Sequence, residues 1–390
     1  MMKNLRKNKS GISLIVLVIT IIVMIILAAA IILSLSNSGI IGKANKAKTD
    51  SDTANLKEYV NTLRAEWELM TVAEQTAAGS FEAYANKKLE KSGYKGAVGA
   101  DGEVYSNLTE NAMAAIKAGI KVGDVVTKYK LDVTTYTTDG SENNNYGTNP
   151  QPQTVTTNTD ITWKYLGVNA NGEMEIMADL STTTATATNA KVTLGGKGGY
   201  LNGPTMLNTI CEKLYSKEGV GTARSMNIDD VNNILGYTGP KGTYYDSNWK
   251  YLPTKEVKTI ATLESELGTT LKHRTTPDGK DLGTYYSDYY KINKTSDKKE
   301  MKNPENVDLV YNAKNTYWLA SSCANACLSD SGAHFKFRFV ESSDVDACYM
   351  FRSDDRTYSS SYAVRPVVKL DPSVKLVKDV TAANTWNISK

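Results

Sequence analysis

Residues 12–35 hold 24 positions without one charge. As a helix this stretch spans ~36 Å at ~1.5 Å per residue, enough for a ~30 Å hydrocarbon core. Lys3, Arg6, Lys7 and Lys9 precede it with no acid among them, which favours an N-terminus in the cytoplasm and the remainder of the chain outside the membrane. A secretory signal peptide has an apolar region of only ~7–15 residues and a small-residue cleavage site, so the pattern predicts a transmembrane helix over 12–36. Beyond Ser36-Asn37-Ser38-Gly39 the apolar positions are Leu56, Val60, Leu63, Trp67 and Met70, one face of a helix, with Lys57, Glu58, Arg64 and Glu68 off that stripe. This predicts a stalk helix over 37–75. Its stripe must pack on a globular part or on a neighbouring subunit.

Residues 76–121 read as a small helical connector, with one helix over 81–89 behind Ser80 and another over 107–120, apolar at Ala112, Ala115, Ile116 and Ile120. A mixed domain over 122–378 follows. A strand is expected at 122–126, and 132–160 reads as a Thr/Asn/Gly/Gln-rich loop or spacer. Strands at 163–168 and 173–178 flank Asn169-Ala170-Asn171-Gly172, a hairpin signal. Residues 182–189 are low-complexity Thr and Ala. Gly195-Gly196-Lys197-Gly198-Gly199 lacks the spacing of a phosphate loop, and Tyr200-Leu201-Asn202-Gly203-Pro204 is read as following it in place of a helix. Helices are expected at 204–215 and 227–235, the second capped by Asn227. Residues 237–302 read as a long loop insertion and 379–390 as a C-terminal tail.

The stretch 317–368 changes the picture from architecture to chemistry. It holds four of the five phenylalanines: Phe335, Phe337, Phe339 and Phe351. In His334-Phe335-Lys336-Phe337-Arg338-Phe339 the period is two, so a strand puts the three rings on one face and His334, Lys336 and Arg338 on the other. The rings are expected in a core and the polar side chains on display. Tyr349, Arg352 and Tyr358 join the outward set by composition. Short polar residues with Tyr and Arg make adaptable recognition surfaces, although a solvated sheet face with polar loops has the same composition.

Composition narrows the function classes. With 45 basic and 42 acidic residues the net charge is +3, which gives no nucleic-acid footprint. Cys211, Cys323, Cys327 and Cys348 all fall on the expected outer side, where disulfides are permitted. Cys323-x3-Cys327 with Cys348 and His334 lacks the second paired set of a zinc site. Asp344, Asp346, Asp354 and Asp355 could bind calcium or be solvated loop acids. The only histidines are His273 and His334, and no hydrolase or zinc-protease motif occurs. The expectation is a protein that is not an enzyme and carries no cofactor.

Two resemblances add to these readings. Lys9-Ser10-Gly11 followed by Ile12-Ser13-Leu14-Ile15 resembles the class III leader and first helix of type IV pilins and pseudopilins, with 1–11 as leader. That implies a prepilin peptidase as partner, cleavage after Gly11, and Ile12 as the methylated N-terminus. Pilins carry Glu at the fifth mature position and this chain has Val16, which weighs against filament assembly. Tyr317-Trp318-Leu319-Ala320-Ser321, the Phe337 to Val340 step and Val364-Arg365-Pro366-Val367-Val368 resemble a C-terminal domain of Gram-positive surface proteins. That domain is similar to the C-type-lectin-like fold of formylglycine-generating enzymes and of the variable proteins of diversity-generating retroelements. The cysteine spacing does not match the enzymes' oxidising pair, and the lectins' calcium-site tripeptides are absent.

The expected fold is therefore α+β, an N-terminal transmembrane/stalk helix followed by a C-type-lectin-like mixed domain with long loops. The resemblance implies diversified ligand-binding positions among Cys323, Asn325, Cys327, Ser329, Asp330, His334, Lys336, Arg338, Asp344, Asp346, Tyr349, Arg352, Asp354, Arg356, Tyr358 and Ser360. The expected function is recognition or adhesion at the cell surface. The partners are the membrane, an extracellular protein or glycan ligand, and other pilin-like subunits. The alternative is a structural pilin or pseudopilin subunit, of a type IV pilus or a type II secretion-like system, without specific ligand binding. Mass spectrometry of the mature protein is expected to find Ile12 at the N-terminus; a chain that still begins at Met1 overturns the processing expectation.

Overall fold

The computed structural model describes residues 40–138, 152–158, 161–181, 190–241, 288–326, 333–352 and 356–390, with two short strands at 244–245 and 251–252. The expected leader and membrane span at 1–36, with Gly11, Ile12 and Val16, lie outside the described residues, as do 182–189 and His273. No helix among the described residues is long and apolar enough to cross a membrane. The chain divides into two compact units, residues 1–81 and 82–390.

In the first unit, α1 (Ile40–Leu69) is one helix of 30 residues. Three positions of the predicted stripe, Leu56, Val60 and Leu63, are buried, while Trp67 and Met70 are half-buried. Thr71 opens α2 (Val72–Ala78) with a capping box: its hydroxyl accepts from the Glu74 N–H, and the Glu74 carboxylate accepts from the Thr71 N–H at 2.8 Å. The Gln75 side chain donates to the Trp67 carbonyl at 2.8 Å, tying α2 back to α1.

The second unit is α+β. In α3 (Phe81–Ser92) the buried Asn86 side chain exchanges two hydrogen bonds with the Val98 backbone, at 2.9 and 2.8 Å. This fixes β1 (Gly96–Val98), which pairs with β2 (Val104–Ser106) in a hairpin that the apolar pattern does not reveal. Thr109 caps α4 (Glu110–Lys117). After β3 (Val125–Thr127), the segment expected as a spacer contributes β4 (Thr135–Thr137) and β5 (Thr154–Thr156), an antiparallel pair. Then come β6 (Trp163–Val168), β7 (Met174–Ala178), β8 (Lys191–Gly195), α5 (Gly196–Tyr215), β9 (Gly221–Ser225) and α6 (Ile228–Leu235). The expected insertion supplies β10 (Tyr244–Tyr245), β11 (Tyr251–Leu252) and β12 (Ile292–Asn293). The chain ends with α7 (Val307–Tyr311), β13 (Tyr317–Ala326), β14 (Ala333–Val340), β15 (Asp344–Arg352), β16 (Ser359–Ala363), β17 (Pro366–Leu370), β18 (Lys375–Lys378) and β19 (Thr385–Ser389).

Local chemistry explains several of these elements. The β6–β7 turn forms because the Asn169 side chain accepts from the Asn171 and Glu173 N–H groups. Gly172 takes φ 73° there, and a Cβ on it would collide with the Asn107 carbonyl. Asn227 and Asp230 form a capping box at the start of α6, and Gly236 ends the helix in the left-handed region. The glycine run after β8 is the first turn of α5, which corrects the expected start at 204. The helix lies so close to β14 that a Cβ on Gly203 would sit 2.5 Å from the Phe337 ring. Here the gain from close packing overrides the poor helix propensity of glycine and the Pro204 inside the helix.

The strands form two main sheets. The seven-stranded one runs β18-β19-β3-β6-β7-β17-β9 and the six-stranded one β12-β15-β14-β13-β16-β8. The expected tail is part of the first sheet: β19 pairs in parallel with β3, and buried Trp386 donates to the Asp124 carboxylate at 2.9 Å. One apolar core joins Trp163, Ile176, Leu207, Ile210, Trp318, Phe337 and Val368, and α5 packs on β13, β14, β15 and β9. The β4–β5 hairpin reaches β8 through one side chain. The Gln153 carboxamide donates to the Thr193 carbonyl and accepts from the Thr193 N–H, both at 2.8 Å.

The sheets meet where β16 passes into β17. Arg365, 3% exposed, donates to the Ala178 carbonyl of β7 at 3.0 Å and to the Tyr317 hydroxyl of β13 at 2.9 Å. Tyr317 in turn donates to the Val310 carbonyl at 3.0 Å. Arg365→Ala strips both bonds, and a hydrogen bond to a charged group contributes roughly 1.5–3 kcal/mol. A loss of about 3 kcal/mol or more in urea unfolding is expected. Arg365→Lys recovers little of it, because a point charge cannot make the forked contact.

Candidate functional site

Strands β13, β14 and β15 carry the predicted site. Directly paired residues share a face. One face holds Ala324, Phe335 and Phe351, then Ser322, Phe337 and Cys348; the other holds Asn325, His334 and Arg352, then Cys323, Lys336 and Tyr349, then Arg338 and Ala347. The alternation expected over 334–339 is present. Phe335 meets Tyr200 edge-on at 5.2 Å, Phe337 meets Trp318 at 5.4 Å, and Phe339 meets Tyr362 at 5.1 Å.

The opposite face is not displayed, which corrects the expectation for its central residues. Cys323, Asn325, His334, Lys336 and Arg338 are all buried, Arg338 to 2% exposure. The cause is the end of the insertion, which crosses the sheet from Asp288 to β12. The Asp288 carboxylate accepts from the Ala324 N–H at 2.7 Å. Arg338 donates to the Asp288 carbonyl and, at 3.1 Å, to the Tyr290 carbonyl, with its guanidinium 4.3 Å from the Tyr290 ring centroid. Tyr290 stacks on Tyr237 and accepts from the Asn232 side chain at 2.8 Å. Tyr289 donates to Asp346 at 2.6 Å, and Lys291 reaches the same carboxylate at 2.8 Å.

Lys336 lies between two rings. Its ammonium is 3.7 Å from the Tyr289 centroid and 4.6 Å from that of Tyr349. Burial pulls its pKa below the ordinary lysine value, and the charge of Asp346 opposes this. Burial likewise raises the Cys323 thiol to about 11 and the Cys348 thiol to about 12. Both thiols are therefore protonated near neutrality. They lie on opposite faces, and Cys211, Cys323 and Cys348 are free of disulfides.

The face opens at one end. Tyr349 is 39% exposed and Tyr358 38%, with centroids 5.7 Å apart and planes tilted by 42°. His334 backs Tyr349 edge-on at 5.1 Å. Arg352, half-buried, pairs with His334, and its N–H donates to the carbonyl of the exposed Arg356. Thus the fold brings together Asn325, His334, Lys336, Tyr349, Arg352, Arg356 and Tyr358. Asp344 and Asp346 are drawn to the β12 side, where Asn293, Tyr289 and Lys291 hold them. Ser360 lies on β16 against β8. Cys327, Ser329, Asp330, Asp354 and Asp355 lie outside the described residues. Among the described residues no group of three or more His, Cys, Asp or Glu side chains is placed to hold a metal ion.

Asp288, Tyr289 and Tyr290 were missed by the sequence reading. Their one signal is the pair of tyrosine doublets in Tyr285-Tyr286-Ser287-Asp288-Tyr289-Tyr290, which no apolar period accompanies. Their burial reverses the expected outcome of one substitution. A surface Arg338→Ala would stay within ~0.5 kcal/mol, whereas loss of a buried forked donor is expected to cost about 3 kcal/mol, comparable with the ~3–5 kcal/mol expected for Phe337→Ala. Thermal and urea unfolding of both variants check this. No family model matches the chain, and no curated protein or solved structure is significantly similar to it.

Proposed function

We propose that the chain is a pilin-like, membrane-anchored surface protein that presents a lectin-like domain for ligand recognition. The observation that carries this reading is the half-exposed Tyr349–Tyr358 pair at the open end of an otherwise buried face. Two large apolar rings left half in water are poorly used in a protein with no ligand. Tyr349 lies on β15 and Tyr358 immediately before β16, so the rings offer broad contact area with little side-chain freedom left to lose. Tyr and Arg are frequent binding anchors, and Arg352 and Arg356 stand beside the pair. The lectin-like assignment draws support from a two-sheet unit in which the last strand, β19, lies beside the early strand β3. The pilin-like assignment draws support from the sequence of residues 9–35 and from the long helix α1. A structural pilin role would use α1 equally well but leaves the tyrosine pair unexplained.

In this reading residues 12–36 anchor the chain and the second unit faces outwards. Protease added to intact cells is expected to remove that unit, and protection until lysis overturns the topology. Screening the purified chain against arrays of glycans and extracellular proteins is expected to yield a ligand whose capture falls at least tenfold in Tyr349→Ala and in Tyr358→Ala, with melting unchanged within a few degrees. Capture indifferent to both substitutions overturns the recognition surface.

A further inference from the structure

We infer that the recognition surface takes a carboxylate-bearing sugar residue, with Lys336 as its counter-charge; this rests on the recognition reading above. The inference starts from an unbalanced pair of polar groups. Lys336 is 6% exposed, and its ammonium contacts the faces of Tyr289 and Tyr349. Among the described residues it has no hydrogen-bond acceptor. Asp346, the carboxylate whose charge acts on it, is held by Tyr289 and Lys291. Ring faces offset part of the cost of burying an ammonium, but they supply no anion to pair with its charge. In the neighbouring row of the same face Asn325 is 4% exposed, and its Oδ1 accepts no hydrogen bond from the described residues.

The surroundings give this pair a direction. Tyr289, on one side of the ammonium, is 8% exposed, whereas Tyr349, on the other side, is 39% exposed. Any ligand therefore approaches past Tyr349, and the flexible lysine stem can move its head towards that side. A ligand that completes the site must bring an anion for the ammonium, a hydroxyl donor for the carboxamide oxygen, and an apolar face for Tyr349 and Tyr358. A sugar acid carries all three on one ring. A neutral sugar leaves the ammonium unmatched, and inorganic phosphate leaves the tyrosines unused.

The test uses the purified full-length chain and matched probes: glucuronate-terminated against glucose-terminated saccharides, sialylated against unsialylated lactose, a glutamate-rich peptide, and inorganic phosphate. Acidic saccharides are expected to bind at least tenfold more tightly than their neutral partners. Lys336→Met is expected to abolish that preference, Lys336→Arg to keep much of it, and Tyr358→Ala to weaken acidic and neutral saccharides alike. The comparison within the wild type stands even where Lys336→Met fails to fold. Equal binding of acidic and neutral saccharides, lost in Tyr358→Ala, overturns the inference and leaves the recognition reading in place; so does a preference that survives Lys336→Met. Binding of the peptide or phosphate as tight as that of sugar acids overturns the sugar class. Retention of no probe, or retention indifferent to Tyr358→Ala, overturns both readings.

Discussion

The Arg365 guanidinium holds the place where the two sheets of the second unit meet. It bonds at once to β7 of one sheet and, through the Tyr317 hydroxyl, to β13 of the other. Around it the chain does little else but close the joint. The Met226 N–H donates to the Arg365 carbonyl and the Ala320 N–H to the Met226 carbonyl, so β9, β13 and the β16–β17 passage are bonded through one short stretch of backbone. Trp318 donates to the Val192 carbonyl at 2.7 Å and pins the start of β13 on β8. Strand β13 leaves this joint to carry Cys323 and Asn325 to the other end of the sheet, so the geometry of the proposed recognition surface begins at Arg365.

The period of two over 334–339 was legible because each strand residue chooses a face by geometry alone. Residues Phe335, Phe337 and Phe339 fall as that rule demands. What lies over each face is a tertiary fact, and here alternation misleads: His334, Lys336 and Arg338 alternate with the rings and yet are buried too. Their cover comes from residues 288–293, which have no apolar period and bind the sheet mostly through backbone carbonyls and tyrosine rings. The same limit explains the glycine run of α5 and the short strands between 135 and 156. In each case local composition argues against regular structure, and contact with a distant element overrides it. The hairpin of β6 and β7 and the capping box of α6 were readable because their causes lie within four residues.

The buried face is a hybrid. Arg338 is satisfied by two carbonyls and a ring, and serves to hold the covering segment down. Lys336, one row away, contacts two rings and has no hydrogen-bond acceptor among the described residues. Two like charges on one strand are thus placed in different circumstances, one bonded to the covering segment and one between rings. Tyr349 belongs to both regimes, since one side of its ring faces the ammonium and much of the remainder faces water.

The Gln153 carboxamide against β8 has a consequence for association between copies of the chain. It makes the donor-and-acceptor pair with Thr193 that a neighbouring strand's peptide unit would make. The outer rim of the six-stranded sheet is thereby occupied by one amide group instead of a full strand. An open rim invites a strand from another molecule to add on. Gln153 takes the position on that edge where an added strand's peptide group would bond to Thr193.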